Sequence, residues 1–282
     1  MKNILITGAN SYIGLSFEKW VAQYPNMYSV DTVDMINGTW KNRDFSQYDS
    51  VFHVAGIAHI RETKDNAELY YKVNRDLAVI TAQKAKSDGV KQFIYLSSMS
   101  VYGIDTGIIT GATIPNPKNN YGKSKLQAEE QIRNLEDKNF KIAVLRPPMV
   151  YGRGCKGNYQ TLAKYALKLP VFPDIQNKRS MIYIDNLSEF VRYLIDNGES
   201  GLFCPQNKEY VCTSEMIKLI ADIHGKEIRL TSFFNPLLKA LMTLKIKYIN
   251  KVFGDLVYDY QKECGFIVAG FQRTIEDTEK VQ

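Results

Sequence analysis

The chain has 282 residues, enough for one large domain or two modest ones, and its 45% hydrophobic content argues against disorder. Its four cysteines (Cys155, Cys204, Cys212, Cys264) are scattered and its histidines (His53, His59, His224) lack ligand spacing, so neither a disulfide framework nor a metal site is expected. The net charge of +6 is moderate and spread along the chain; with no zinc finger, RNA-recognition motif or basic arm it sets nucleic acid aside and suits an anionic small substrate such as a nucleotide diphosphate.

In chain order, Lys2 to Thr7 reads as a buried strand and Tyr12 to Tyr24 as an amphipathic helix stopped by Pro25. Strands follow at Tyr28 to Val33, Asp49 to Ala55, Gln92 to Ser97 and Ile142 to Arg146, with a helix around Leu69 to Lys86. Short β-rich runs alternating with helical patterns predict an α/β fold: a doubly wound, Rossmann-type parallel sheet covered by helices, followed by a smaller C-terminal substrate lobe. The expected division is residues 1–152 for the dinucleotide-binding domain, with a return of about 180–200. Residues 153–179 and 201–282 are expected to form the smaller lobe. There a helix at Tyr159 to Leu169, a strand at Ser180 to Ile184 and helices at Leu187 to Asp196 and Thr213 to His224 are predicted, with Thr213 or Ser214 as a cap for the last. No apolar run approaches the ~20 residues of a membrane span. The opening Met1 to Gly8 is too brief for a signal peptide and enters a glycine turn without a cleavage site, so a cytoplasmic protein is expected.

Thr7-Gly8-Ala9-Asn10-Ser11-Tyr12-Ile13-Gly14 lies between the first strand and the first helix. Glycines there let the backbone turn tightly beside a pyrophosphate, and the helix N-terminus offers free N–H groups and a positive dipole end. Ser11 stands where a middle glycine is usual; it is small and can itself hydrogen-bond a phosphate. Asp34, at the end of the second strand, fits the carboxylate that holds the adenine ribose, with Asp31 as its competitor three residues earlier. A carboxylate there repels a 2′-phosphate and Met35-Ile36 supplies no cation, so NAD rather than NADP is expected.

Ser97-Ser98-Met99-Ser100 closes a strand whose C-terminal end faces the ligand crevice of such a sheet, and a serine hydroxyl there can position a substrate oxygen. Tyr121 and Lys125 stand one turn apart on a helix face. A free tyrosine has a pKa of about 10, and a nearby cation favours the phenolate that can act as a base. Tyr-x-x-x-Lys alone is weak; the turn and the serine lend it weight.

These elements, with Phe52 to Gly56, Val101-Tyr102-Gly103 and Arg146 to Gly152, together resemble the extended short-chain dehydrogenase/reductases, and more narrowly the NAD-dependent nucleotide-sugar epimerase/dehydratase family. The match runs from residue 2 to about 200. The resemblance implies that Tyr121 is the acid/base, that Lys125 binds the nicotinamide ribose and lowers the tyrosine pKa, and that Ser98 holds the reacting oxygen. It implies that Gly8, Ser11, Tyr12, Ile13 and Gly14 cradle the pyrophosphate, that Asp34 takes the adenine ribose and Asp44-Phe45 flank adenine, and that Ala55, Gly56 and Asn74 approach the cofactor. His53 is read as a packed strand residue. A homodimer formed through two helices per subunit is a further implication.

Two departures narrow the activity. The dehydratase Asp-Glu pair is replaced by Met99-Ser100, which sets dehydration aside, and Pro148 stands where UDP-galactose 4-epimerases carry an asparagine. Arg153, Asn158 and Arg179 are the candidates for the substrate diphosphate, with solvated surface groups as the alternative. The tail Phe253 to Asp259 with Cys264-Gly265-Phe266 is similar to sugar-nucleotide 4-keto reductases and to related short epimerases. The basic, apolar stretch Leu237 to Tyr248 is expected to pack onto its own domain rather than onto a membrane. The expected activity is 4-epimerisation of a UDP-hexose through a 4-keto intermediate. Its alternatives are NAD(P)H-dependent reduction of a UDP-4-keto-6-deoxy sugar and, as a third, a cofactor sensor without turnover.

Overall fold

Strands separated by helices can pair in parallel only through crossover connections, and this chain pairs its strands that way. The computed structural model describes residues 1–58, 60, 62–244, 246–259 and 268–280; His59 and Cys264-Gly265-Phe266 lie outside them. The chain begins β1 (Lys2–Thr7), α1 (Tyr12–Val21), β2 (Tyr28–Val33), β3 (Ser50–His53), α2 (Ala67–Tyr70), α3 (Leu77–Ser87) and β4 (Gln92–Leu96). Then come β5 (Gly107–Ile109), α4 (Asn120–Arg133), β6 (Lys141–Leu145), β7 (Met149–Tyr151), α5 (Asn158–Lys168), β8 (Val171–Pro173) and β9 (Met181–Tyr183). The remainder is α6 (Ile184–Asn197), β10 (Gly201–Phe203), α7 (Thr213–Ile223), β11 (Arg229–Thr231), α8 (Asn235–Thr243), α9 (Lys247–Phe253), β12 (Leu256–Tyr258) and α10 (Phe271–Glu279).

Two compact units result. The first takes Met1–Gly103, Pro115–Pro147 and Leu187–Pro205; the second takes Ile104–Ile114, Pro148–Asn186 and Gln206–Gln282. In the first, six strands form one parallel sheet in the order β10-β6-β4-β3-β1-β2. The order reverses between β1 and β3, and a crevice for ligands opens outside the strand ends at such a switch point. Ile4, Leu5, Ile6, Val51, Phe52, Phe93, Ile94 and Val144 are wholly buried, as expected of strands covered on both faces. Gln92, buried in the sheet, donates to the carbonyls of Leu194 (2.8 Å) and Glu199 (3.0 Å), tying β4 to the end of α6.

The second unit holds three two-stranded parallel ladders, β11-β8, β12-β5 and β7-β9. Neither Thr213 nor Ser214 caps α7: the cap position is Cys212, which makes no side-chain cap bond. Both hydroxyls are buried and point to other carbonyls instead, Thr213 to Val252 (2.9 Å) and Ser214 to Pro173 (2.9 Å) and Ile175 (3.1 Å). In the 237–248 stretch Leu241 and Met242 are half-buried. α8 buries Leu238 alone, and Leu237, Leu244 and Tyr248 remain exposed.

Candidate cofactor and catalytic site

β1 ends at Thr7 and the chain turns through Gly8 at φ +110°, a conformation that strains any residue with a side chain. A Cβ on Gly8 would also lie 2.8 Å from the Ala55 nitrogen, so the turn and the end of β3 approach each other as closely as backbones can. Gly8 and Ala9 donate to the Val33 carbonyl (3.0 and 3.1 Å), and Ala55 donates to Thr7 (2.9 Å), which pins the turn between β2 and β3. Ser11 is the N-cap of α1, its Oγ accepting from the Gly14 N–H at 3.2 Å. That role leaves its O–H as a donor. The missing glycine is therefore replaced by a helix cap.

Asp34 follows β2 directly, exposed, with one carboxylate oxygen accepting from the Ile36 N–H (2.9 Å). Its competitor Asp31 is engaged elsewhere: it pairs with Arg43 (2.6 Å) and accepts from the Tyr48 hydroxyl (2.5 Å). Asp44 is fixed by Ser46, whose N–H and hydroxyl both donate to it (2.8 Å each) and hold its carboxyl below the ordinary range. Phe45 differs, because it is wholly buried in the core beside Tyr48 and its N–H donates to Asp88 (3.0 Å).

A one-turn π-helical widening at Tyr71–Asp76 separates α2 from α3, and Asn74 sits in it, fully buried. Its amide brackets Ile57, accepting from the N–H (2.9 Å) and donating to the carbonyl (3.0 Å), and also reaches Ser124 (3.3 Å). Asn74 thereby holds the strand-end segment Ala55-Gly56-Ile57 against α4. A Cβ on Gly56 would come 2.9 Å from Asn74 Oδ1 and 3.3 Å from Lys125 Nζ. The lysine thus lies directly under the backbone expected to pass the cofactor.

Two features bring Tyr121 to Ser98. Asn119 caps α4 by accepting from the Gly122 N–H (2.8 Å). Gly122 then lets the helix touch the short 3₁₀ turn after Ser98, since a Cβ there would stand 2.7 Å from the Ser100 carbonyl oxygen. Ser98 Oγ accepts from the Ser100 N–H and donates to the Ser100 hydroxyl, each at 3.1 Å. Burial raises the Tyr121 pKa, and the neighbouring Ser98 side chain opposes that rise. Lys125 is buried, its Nζ donating to the Leu96 carbonyl (2.7 Å) and lying 4.8 Å from the centre of the Tyr95 ring. Burial lowers its pKa to about 8 against the pull of Glu129. The shift of Tyr121 is set by burial, Ser98 and Tyr70, not by Lys125. The Lys125 ammonium gives one N–H to Leu96 and keeps two more donors.

Sequence reasoning overlooked Glu129. It is buried one turn beyond Lys125 and forms an ion pair with buried Arg146 (2.5 Å), while Ser97 donates to its carboxylate. Arg146 in turn donates to the Tyr102 hydroxyl (2.9 Å). The signal was available: Tyr121, Lys125 and Glu129 share one helix face at intervals of four.

The substrate candidates belong to the second unit. Arg153 and Asn158 are exposed, after β7 and at the start of α5. Arg179 is half-buried just before β9, donates to the Gly254 carbonyl (2.9 Å) and has its pKa lowered by burial. Because β7 and β9 run parallel with Met149 opposite Met181, Arg179 stands at the entry of that ladder and Arg153 at its exit. The structure does not gather the three around one point.

The family model described as NAD dependent epimerase/dehydratase family matches residues 4–204. A UDP-glucose 4-epimerase of Vibrio cholerae is 29% identical over 248 residues, 78% of this chain and 75% of that protein. An N-acetyl-alpha-D-glucosaminyl-diphospho-ditrans,octacis-undecaprenol 4-epimerase of Escherichia coli O157:H7 is 28% identical over 217 residues, 71% of this chain and 65% of that protein. Among solved structures, UDP-glucuronic acid 4-epimerase from Bacillus cereus in complex with NAD superposes with a TM-score of 0.75 at 18% identity, covering 98% of this chain and 97% of that one.

Proposed function

The chain belongs to the NAD dependent epimerase/dehydratase family, as an NAD-dependent enzyme, and from that premise we propose that it epimerises C4 of a nucleotide-linked hexose, a UDP-hexose above all. The observation that carries the proposal is the seating of α4 on the turn after Ser98 through Gly122, which brings Tyr121 near Ser98, with Lys125 buried one turn further along α4 beneath Gly56. Gly8, Ser11, Tyr12, Ile13 and Gly14 would hold the pyrophosphate and Asp34 the adenine ribose. Ala55, Gly56 and Asn74 would line the nicotinamide side, and Lys125 would meet its ribose. Supporting the fit are the tight Gly8 turn at φ +110° against Ala55 and the O–H that Ser11 keeps free to donate at the N-terminus of α1. NAD, when bound, supplies a hydride acceptor and a positively charged ring, which favours the phenolate beside it.

Tyr121, as phenolate, takes the proton of the C4 hydroxyl while hydride leaves C4, giving a 4-keto sugar. Ser98 donates to the C4 oxygen and fixes its distance from the phenol. Hydride returns to the opposite face of C4, and Tyr121 returns its proton to the oxygen. Atoms and electrons balance without an outside oxidant. Met99-Ser100 supply no carboxylate for loss of water. Arg153, Asn158 and Arg179 are proposed for the diphosphate.

Pro148, in place of the asparagine of UDP-galactose 4-epimerases, favours a second reading. There NAD(P)H reduces a preformed UDP-4-keto-6-deoxy sugar once, with Tyr121 donating the proton. Incubating the purified protein with UDP-hexoses and UDP-N-acetylhexosamines, without added cofactor, separates the two. C4 epimers support the epimerase. Inactivity there, with NAD(P)H oxidation on a 4-keto sugar nucleotide, overturns it in favour of the reductase.

A further inference from the structure

Basic residues occur throughout the chain, but between Glu227 and Asp255 they stand without a single acid: Arg229, Lys239, Lys245, Lys247 and Lys251. In a protein whose net charge is +6, this stretch of sequence carries charge of one sign only; among the described side chains Lys239 and Lys251 are exposed. The same stretch carries several exposed large apolar side chains. Phe233 is 82% exposed, Leu237 62%, Leu244 72% and Tyr248 83%, with Phe234 and Ile246 also exposed. Leu237 and Leu244 are seven residues apart, two helical turns, and so share a side of α8, while Leu238 on an adjoining side is buried. Phe233 and Phe234 stand edge to face, 5.2 Å between ring centres, at the head of that helix.

Isolated exposed leucines are ordinary, but a row of them beside a one-sign charge is the composition of a helix lying in a lipid interface. α8 has nine residues and α9 seven, far short of the ~20 needed to cross a bilayer, so such a segment can rest on a surface but cannot span it. A second copy of the chain is a poor occupant. A two-fold contact would set the lysines of one copy against those of the other. An anionic bilayer offers both an apolar layer and the opposite charge.

We propose that the α8–α9 segment docks on the surface of an anionic phospholipid bilayer. Phe233, Leu237, Leu244 and Tyr248 enter the boundary between headgroups and acyl chains, and Lys239 and Lys251 face the lipid phosphates. The activity proposed above would then be delivered at a membrane surface, although the docking requires neither NAD nor sugar. This is the opposite of what the sequence alone led us to expect for residues 237–248.

The test uses the full chain with vesicles of phosphatidylcholine, alone or mixed with phosphatidylglycerol, and measures sedimentation with the lipid. The expected result is binding at least ~10-fold stronger to the mixed vesicles, lost near 1 M salt, where the screening length falls to about 3 Å. Leu237→Ser/Leu244→Ser and, separately, Lys239→Glu/Lys251→Glu should each reduce it about 10-fold or more without changing the thermal midpoint, since all four side chains are exposed. Leu237→Trp should gain a blue-shifted emission on adding mixed vesicles. Equal binding to both lipid compositions overturns the proposal. So does a wild-type dimer that ignores vesicles and becomes monomeric in Leu237→Ser/Leu244→Ser, which would assign the face to a second copy.

Discussion

The Tyr121 phenol lies near Ser98, whose side chain opposes a pKa rise driven chiefly by burial. On the proposed reading the serine fixes the substrate oxygen, and its nearness brings the phenol closer to usefulness as a base.

Tyr121→Phe should lower kcat by about 10²–10⁴-fold while leaving NAD affinity within a few-fold, because it removes the proton carrier and little else. Ser98→Ala removes the interaction that lowers the tyrosine pKa, so the rising limb of kcat/KM against pH should move to higher pH. Epimer formation followed across pH and NAD titration by calorimetry would check both. Unchanged flux in Tyr121→Phe would point to the cofactor sensor instead.

Gly8→Ala should weaken NAD binding by ~10-fold or more, since φ +110° and the 2.8 Å approach to Ala55 both exclude a Cβ. Isothermal titration of NAD against this variant is the measurement; near-normal affinity would contradict the assigned cradle.

Glu129→Ala leaves Arg146 buried without its counter-ion and should cost about 3–5 kcal/mol in urea unfolding. Glu129→Leu/Arg146→Met removes both charges together and should recover most of that loss. A double variant as unstable as the single one would show that the pair contributes more than mutual neutralisation.

His53 is fully buried, bonded through Nδ1 to Thr7 Oγ1 (2.7 Å) and stacked near Phe93 and Tyr95. Burial lowers its pKa from 6.5 to about 3, so the folded state holds it neutral. The unfolded chain therefore binds an extra proton between those values. Its contribution is complete above pH 6.5 and is lost as pH falls towards 3, at roughly 1.4 kcal/mol per pH unit. Urea midpoints at pH 7, 6, 5 and 4 should show His53→Gln losing less stability with acid than the wild type. Parallel acid slopes would refute this assignment.

β1 has the bounds its apolar run implies, since its last four residues are buried; β2 also has the expected bounds, although it is an edge strand with Ser29, Asp31 and Thr32 exposed. The helix expected around Leu69 to Lys86 is instead interrupted at Tyr71–Asp76. That interruption accompanies Asn74's grip on Ile57, a tertiary contact no local periodicity records. The placement of Tyr121 beside Ser98 follows from motif order, but the diversion of Lys125 to the Leu96 carbonyl depends on where β4 ends in space. Ile104–Ile114 belongs to the second unit through β5, paired with β12 late in the chain. A strand of three residues carries too little pattern to announce such a partner.

The edge strand β10 has a bearing on biosynthesis. β6 must leave the ribosome long before Gly201–Phe203, which supply its outer neighbour, and in the interval its backbone groups on that side have no mate. A fragment ended at Pro147 would keep that raw edge permanently and lack α6 as well. Such a fragment is a candidate for self-association, and expression of the nucleotide-binding half alone should extend at least through Pro205.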